Sequence, residues 1–473
     1  AAINGKQTDM TMDQSRRAFL KRASALSIAG QATSFVLNLA ASGEAAAATA
    51  SDYKALVCVF FYGGNDYANT LPPYDSTRHA FYTSQRPSFA HSQAALQPTL
   101  LNPTTPLPGG AQYALAPGLA PLMPIFNAGR MAVMLNVGTL VQPTTKAQYQ
   151  NRSVQLPPKL LSHNDQQSYW QACLPEGAAS GWGGRIGDFL QSGNGNASLT
   201  CINPAGNAVF LTGRAAVQYA VSTSGPIALN ARTTLNGSTA AATMLRQLIA
   251  NPGGRHDFQQ AVSDIGKRAL ELQALVANAL AIAPTTQTPF PAAVDPSSSL
   301  GAQLQLVAKL ISVSQELGVK RQVFFVSTGR FDTHDELGTL HPILMQNAAN
   351  AIRAFYDTTV ELGVANKVTT FTASDFGRAL TANNDGSDHG WGSMHFALGG
   401  AVNGGRFYGI NPVLANNGPD DIGQGRLIPT MSVDQYGATL ASWFGVSAGD
   451  LPTVFPNLRN FAGSALGTNL GFV

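Results

Sequence analysis

Charge is scarce in this chain. Only 12% of its 473 residues are Asp, Glu, Lys or Arg, against 44% hydrophobic, and the formal net charge is +3. Residues 1–50 hold five of the basic groups and three of the acidic ones, which leaves 24 basic against 23 acidic beyond them. With no basic tract left, a nucleic-acid partner or an anionic membrane surface has no electrostatic footprint here. Cysteine is also rare, at three residues. Cys58 lies in an apolar run and is expected to be buried and inert, so Cys173 and Cys201 form the one pair an oxidising compartment would allow. The weakly apolar stretch Ala23 to Ala41 is interrupted by Gln31, Thr33, Ser34 and Asn38. That makes it a poor membrane span, and no stable membrane anchor is expected. No internal repeat is evident. What is plentiful is Gly, at 47, and Pro, at 27, which points to many turns and long loops.

The N-terminal region reads as an address. Ser15-Arg16-Arg17-Ala18-Phe19-Leu20-Lys21 carries the paired arginines of a twin-arginine export signal, followed by the apolar stretch and by small residues at Ala46 to Ala50 that suit signal-peptidase cleavage. Export of the folded chain through the twin-arginine machinery, to the periplasm or beyond, is the expectation. Residues 1–50 stand apart from a single domain over 51–473.

Beyond that point the pattern is helix, buried strand, polar loop. Ala55 to Tyr62 is a continuous apolar run ended by the turn Gly63-Gly64-Asn65-Asp66. Met131 to Val137, Gln322 to Ser327 and Val368 to Ala373 read the same way, as strands buried on both faces of a mostly parallel sheet. Helical spacing is read over Leu119–Gly129, His163–Leu174 with Ser162 as N-cap, Asp257–Ile282, Leu300–Leu317, Asn347–Leu362 and Ser432–Phe444. The expected fold is an α/β sheet flanked by helices, with long loops and a helical insertion at about 181–318 whose first part is mixed, with short β-like runs near 197–211. Its site should lie beyond the carboxyl ends of the strands.

Chemistry concentrates late in the chain. Four of the eight histidines lie between His334 and His395, in or near three polar segments. These are Phe331-Asp332-Thr333-His334, Ser374-Asp375-Phe376-Gly377-Arg378 and Asp388-His389-Gly390 with His395 close by. Asp oxygens and His nitrogens suit zinc, manganese or a similar dication. Asp332, His334 and Asp375 are read as ligands, with one of His389 and His395 as a ligand and the other supporting it. Arg378 is placed to clamp an anion, with an ion pair as its alternative. His341 reads as structural or surface, and His163 as facing the site or capping a helix.

These motifs, from the paired arginines and the Gly63-Gly64-Asn65-Asp66 turn to Leu427–Tyr436 and Val454–Leu458, resemble a bacterial exported family, domain of unknown function 1501. That family is similar to the alkaline phosphatase and sulfatase superfamily, which implies an alkaline phosphatase-like fold. It also implies one or two divalent metals and hydrolysis of phosphate or sulfate esters through an activated hydroxyl. The resemblance puts Asp66, with Asn65, on one metal and Asp332 with His334 on the other. It puts Asp375 in a block whose usual histidine is replaced by Phe376. For the nucleophile it points to Ser162 at a helix start, and to Thr70 as second choice. No Cys-x-Pro-x-Arg signature is present, which argues against a formylglycine enzyme. A small anionic ester is therefore the expected substrate. The other class that fits is a non-catalytic exported protein that binds a ligand, polymer or partner.

Overall fold

A computed structural model describes residues 53–227, 234–250, 257–295 and 298–473. The twin-arginine motif, and with it the export reading, lies outside the described residues. Among the described residues no helix is long and apolar enough to cross a membrane.

Among the described residues twelve strands occur in chain order: β1 (Lys54–Phe61), β2 (Met131–Gly138), β3 (Cys201–Asn203), β4 (Gln218–Ser222), β5 (Gly225–Pro226), β6 (Arg321–Thr328), β7 (Val368–Ser374), β8 (Arg378–Ala382), β9 (Ser387–His389), β10 (Ser393–Gly399), β11 (Arg406–Tyr408) and β12 (Met431–Ser432). Ten of them form one sheet in the order β11-β2-β10-β7-β1-β6-β3-β4-β5, with β12 beside β2. The central trio β7-β1-β6 is parallel. Only β10 and the short β5 run antiparallel to their neighbours. β8 and β9 make a separate two-stranded ribbon.

The apolar runs form strands because both faces of the sheet are covered. Along β1, Ala55, Val57, Val59 and Phe61 enter one core while Leu56, Cys58 and Phe60 enter the other. The first core is closed by helices Leu300–Ser312 and Leu337–Glu361, the second by Trp182–Leu190 and Val433–Phe444. Each large apolar side chain buried this way contributes about 1.5–3 kcal/mol, which overrides local preference.

Several boundaries differ from the sequence reading. The helix expected from Asn347 begins at Leu337, although Pro342 lies inside it. Proline removes only one hydrogen bond there, and burial of Leu337, His341 and Leu344 compensates. Leu119–Gly129 is a 3₁₀ turn, Pro117–Leu122, followed by a short α-helix, Met123–Asn127. The mixed stretch 181–318 supplies β3, β4 and β5 to the main sheet, β3 falling where short β-like runs are read. Cys58, Cys173 and Cys201 are all buried free thiols, so the allowed disulfide is not formed. Cys173 ends a helix in the left-handed conformation, while Cys201 opens β3 and packs against Gly187.

Candidate metal centre

The parallel trio delivers three turns to one end of the sheet. β1 leads into Gly63 and Gly64, β6 into Asp332, and β7 into Asp375. These turns are packed backbone to backbone. Gly63 has φ +114°, and a Cβ there would lie 2.3 Å from the backbone nitrogen of Asp332. Gly63 N–H donates to Asp375 Oδ2 at 3.1 Å, and its carbonyl accepts from Arg378 at 3.0 Å. Two further pieces close the site: His163 at the start of helix His163–Ala172, and His389 at the end of β9.

Asp332 is the hub. Its Oδ1 lies 3.1 Å from His334 Nε2 and 3.2 Å from His389 Nε2, and its Oδ2 lies 3.4 Å from His163 Nε2. His334 Nε2 and His389 Nε2 are themselves 2.8 Å apart. Ligand atoms of His163, Asp332 and His389 all fall within 4.8 Å of one another. Burial pushes the Asp332 carboxyl up, but the Arg378 guanidinium at 2.8 Å, with His163 and His334 close by, outweighs it and holds the carboxyl below its usual range.

The outer nitrogens of the three rings are held from behind. His163 Nδ1 is 2.7 Å from Asp375 Oδ2. His389 Nδ1 is 2.7 Å from the Leu161 carbonyl oxygen. His334 Nδ1 is 3.5 Å from Asp388 Oδ1. A carbonyl or carboxylate oxygen can only accept, so Nδ1 carries the proton at His163 and His389, and each neutral ring turns its Nε2 lone pair inward. The carbonyl of Leu161 is aimed by a left-handed backbone, φ 72°, at a residue with a branched side chain. His163 Nε2 is buried with no hydrogen-bond partner. The hydrogen bond to Asp375 raises the His163 pKa, while burial lowers that of His389. Phe376 packs against both rings, its centroid 4.9 Å from that of His163 and 4.7 Å from that of His389, while the two imidazoles are 4.4 Å apart.

An orphaned imidazole nitrogen, inward lone pairs and a shared carboxylate are a donor set that fits a borderline dication such as zinc or manganese. His163, Asp332 and His389 are the residues that would hold it, with the more exposed His334 beside them.

Other residues expected at the site go elsewhere. Asp66 is fully buried and both its oxygens lie 2.7 Å from Arg86 nitrogens. It also caps the short helix Tyr67–Thr70. Burial would raise its carboxyl, but Arg86 holds it at about 2. It is paired with Arg86, apart from the group formed by His163, Asp332 and His389. Asn65 is buried too; its side-chain oxygen accepts from His341, and its side-chain amide donates to Thr70 Oγ1 at 3.0 Å. Thr70 Oγ1 donates to the Asp66 carbonyl at 2.7 Å and is fully buried. Ser162 Oγ donates to Asp165 Oδ2 at 2.9 Å and does not cap its own helix.

His395 is the clearest misplacement. It lies on β10, fully buried, with its ring 4.8 Å from that of Trp170 and no partner for Nε2. Both faces of its strand are buried, and burial drives its pKa to about 3. Arg378 is buried and committed to Asp332, Gly63 and Ser387, so it positions Asp332 and is not a free anion clamp. His341 is structural: it is fully buried against Asn65, and burial lowers its pKa to about 4. His163 joins the centre. Its signal was a histidine at a helix start after a buried strand and a long loop, which sequence alone leaves open. Trp391 is a buried loop anchor, donating to the Thr139 carbonyl.

The model of the family described as "Protein of unknown function (DUF1501)" matches residues 53–437. No curated protein matches. Among solved structures the chain is similar to the lipoteichoic acid synthase LtaP from Listeria monocytogenes, at 9% identity over 87% of this chain and 79% of that one, with a TM-score of 0.34. It is also similar to the PsFucS1 sulfatase from Pseudoalteromonas sp., at 9% identity over 87% and 72%, with a TM-score of 0.33. Likeness this loose carries no chemistry across.

Proposed function

The chain belongs to the DUF1501 family, and from that premise we propose that it is an exported metal-dependent hydrolase of phosphate or sulfate esters. The observation that carries the reading is the convergence of His163, Asp332 and His389 on one point at the carboxyl end of a parallel sheet. A dication held there would supply Lewis acidity toward an anionic ester and acidify water.

The chain's own residues would then do the following. Asp375 and the Leu161 carbonyl keep the Nδ1 protons of His163 and His389 in place, so both Nε2 atoms stay basic and fixed. Arg378 keeps the Asp332 carboxylate ionised. His334, 44% exposed and adjacent to Asp388, is the group free to exchange a proton at Nε2 with a leaving group or with solvent. Because the Ser162 and Thr70 hydroxyls are tied up elsewhere, the attacking group in this reading is water. Export by the twin-arginine route, expected from Ser15 to Lys21, is part of the same proposal.

The test is a panel of aryl phosphates, phosphodiesters and aryl sulfates assayed with zinc- and manganese-supplemented protein, wild type against His389→Ala. Turnover by the wild type and its loss in the variant support the reading. A second reading has its own observation: Phe376 occupies the block where a histidine is usual and packs on two of the rings. It predicts metal binding with no turnover of any ester, and a protein that uses its centre to bind.

A further inference from the structure

We propose that Asp375 acts on the centre through His163, as a positioning residue and not as a metal ligand. The proposal rests on the reading that His163 is a ligand.

Asp375 uses its two carboxylate oxygens unequally. One oxygen, Oδ2, takes three donors: Gly63 N–H at 3.1 Å, His163 Nδ1–H at 2.7 Å and Gln167 Nε2–H at 2.8 Å. These come from the turn after β1 and from two positions one helical turn apart on helix His163–Ala172. An oxygen with three donors in place has no lone pair left to offer a cation. The short contact to His163 also fixes that ring's tautomer and its rotation, so Nε2 faces Asp332 Oδ2. Asp375 itself is fully buried. Its other oxygen, Oδ1, is buried without a partner, and the clustering of inward ligand atoms gathers His163, Asp332 and His389 without it.

Gln167 completes the device. It lies four residues after His163, on the same face of the helix, and ties the helix to the turn after β7 through the same oxygen. The helix that carries the ligand and the strand end that carries its anchor are thus held together at one atom.

The experiment is cobalt titration of chelator-treated protein, followed by its visible ligand-field bands. Wild type, Asp375→Asn, Gln167→Leu and His163→Ala are compared. Loss of an outer anchor of a ligating histidine typically costs about ten- to a hundredfold in metal affinity while the ligand atoms stay the same. Asp375→Asn should therefore weaken cobalt binding about that much and keep the wild-type band shape at saturation. Gln167→Leu, which leaves the carboxylate in place, should weaken it several-fold with the same bands. His163→Ala should change the bands. Wild-type affinity in Asp375→Asn, or saturated bands altered as in His163→Ala, overturns the proposal. If Asp375→Asn does not fold, unchanged affinity in Gln167→Leu overturns it. A wild-type protein that takes up no cobalt overturns the metal reading itself, and this proposal with it.

Discussion

His389 Nε2 lies 2.8 Å from His334 Nε2, and Asp332 Oδ1 lies within 3.2 Å of both. The Leu161 carbonyl claims the Nδ1 proton of His389, so in the neutral ring its Nε2 has only a lone pair to offer. Such a lone pair can accept a proton from His334 or hold a cation. Metal binding should therefore stabilise the fold. Zinc or manganese at a hundred times its dissociation constant should add about 2.7 kcal/mol to wild type. Asp332→Ala and His389→Ala should lose that gain, and differential scanning calorimetry with and without metal reads it.

The buried pair Asp66–Arg86 should behave as structure and not as site. Asp66→Asn leaves the Arg86 charge buried without its counter-ion, and breaking such a pair costs about 3–5 kcal/mol. Urea denaturation should show that loss, while the folded variant keeps its metal affinity. A metal titration that shows loss of binding without loss of stability would return Asp66 to the ligand set.

Gly64→Ala should be among the most damaging single changes. Its φ is +83°, and a Cβ would stand 2.2 Å from the Phe376 ring. The ring cannot retreat, because it packs on His163 and His389. The expected outcome is a destabilised protein with weakened metal binding, measured by melting temperature and metal titration together.

Acid should weaken the fold through two buried histidines. Burial holds His341 at about 4 and His395 at about 3, below the roughly 6.5 of an unfolded histidine. Their neutral forms are favoured in the fold, so their contribution is fully present above about pH 6.5 and is lost as pH falls toward the folded values. Each should add a slope of up to about 1.4 kcal/mol per pH unit in that window. His395→Phe keeps an aromatic ring against Trp170 and removes a buried nitrogen that has no partner. It should cost little at pH 7 and flatten the acid slope in urea titrations from pH 7 to 4.5.

Much of this arrangement was legible in the sequence, for a physical reason. Strands buried on both faces must be continuously apolar, so β1, β2, β6 and β7 could be read almost to the residue, and with them the turns that carry Asp332 and Asp375. What could not be read was contact between distant segments. Arg86 belongs to no motif, and nothing local says that it neutralises Asp66. His395 follows His389 closely, but it sits within a strand that is buried on both faces, where its ring packs against Trp170. His163 reaches the centre only because a long loop after β2 returns its helix to the ends of the parallel trio.

The most direct test of the metal centre is elemental analysis of wild-type and His389→Ala protein purified without chelator. The account predicts a stoichiometric transition-metal dication in the wild type and its loss from the variant. Wild-type protein that carries no such metal, and whose melting temperature zinc and manganese leave unchanged, would contradict it.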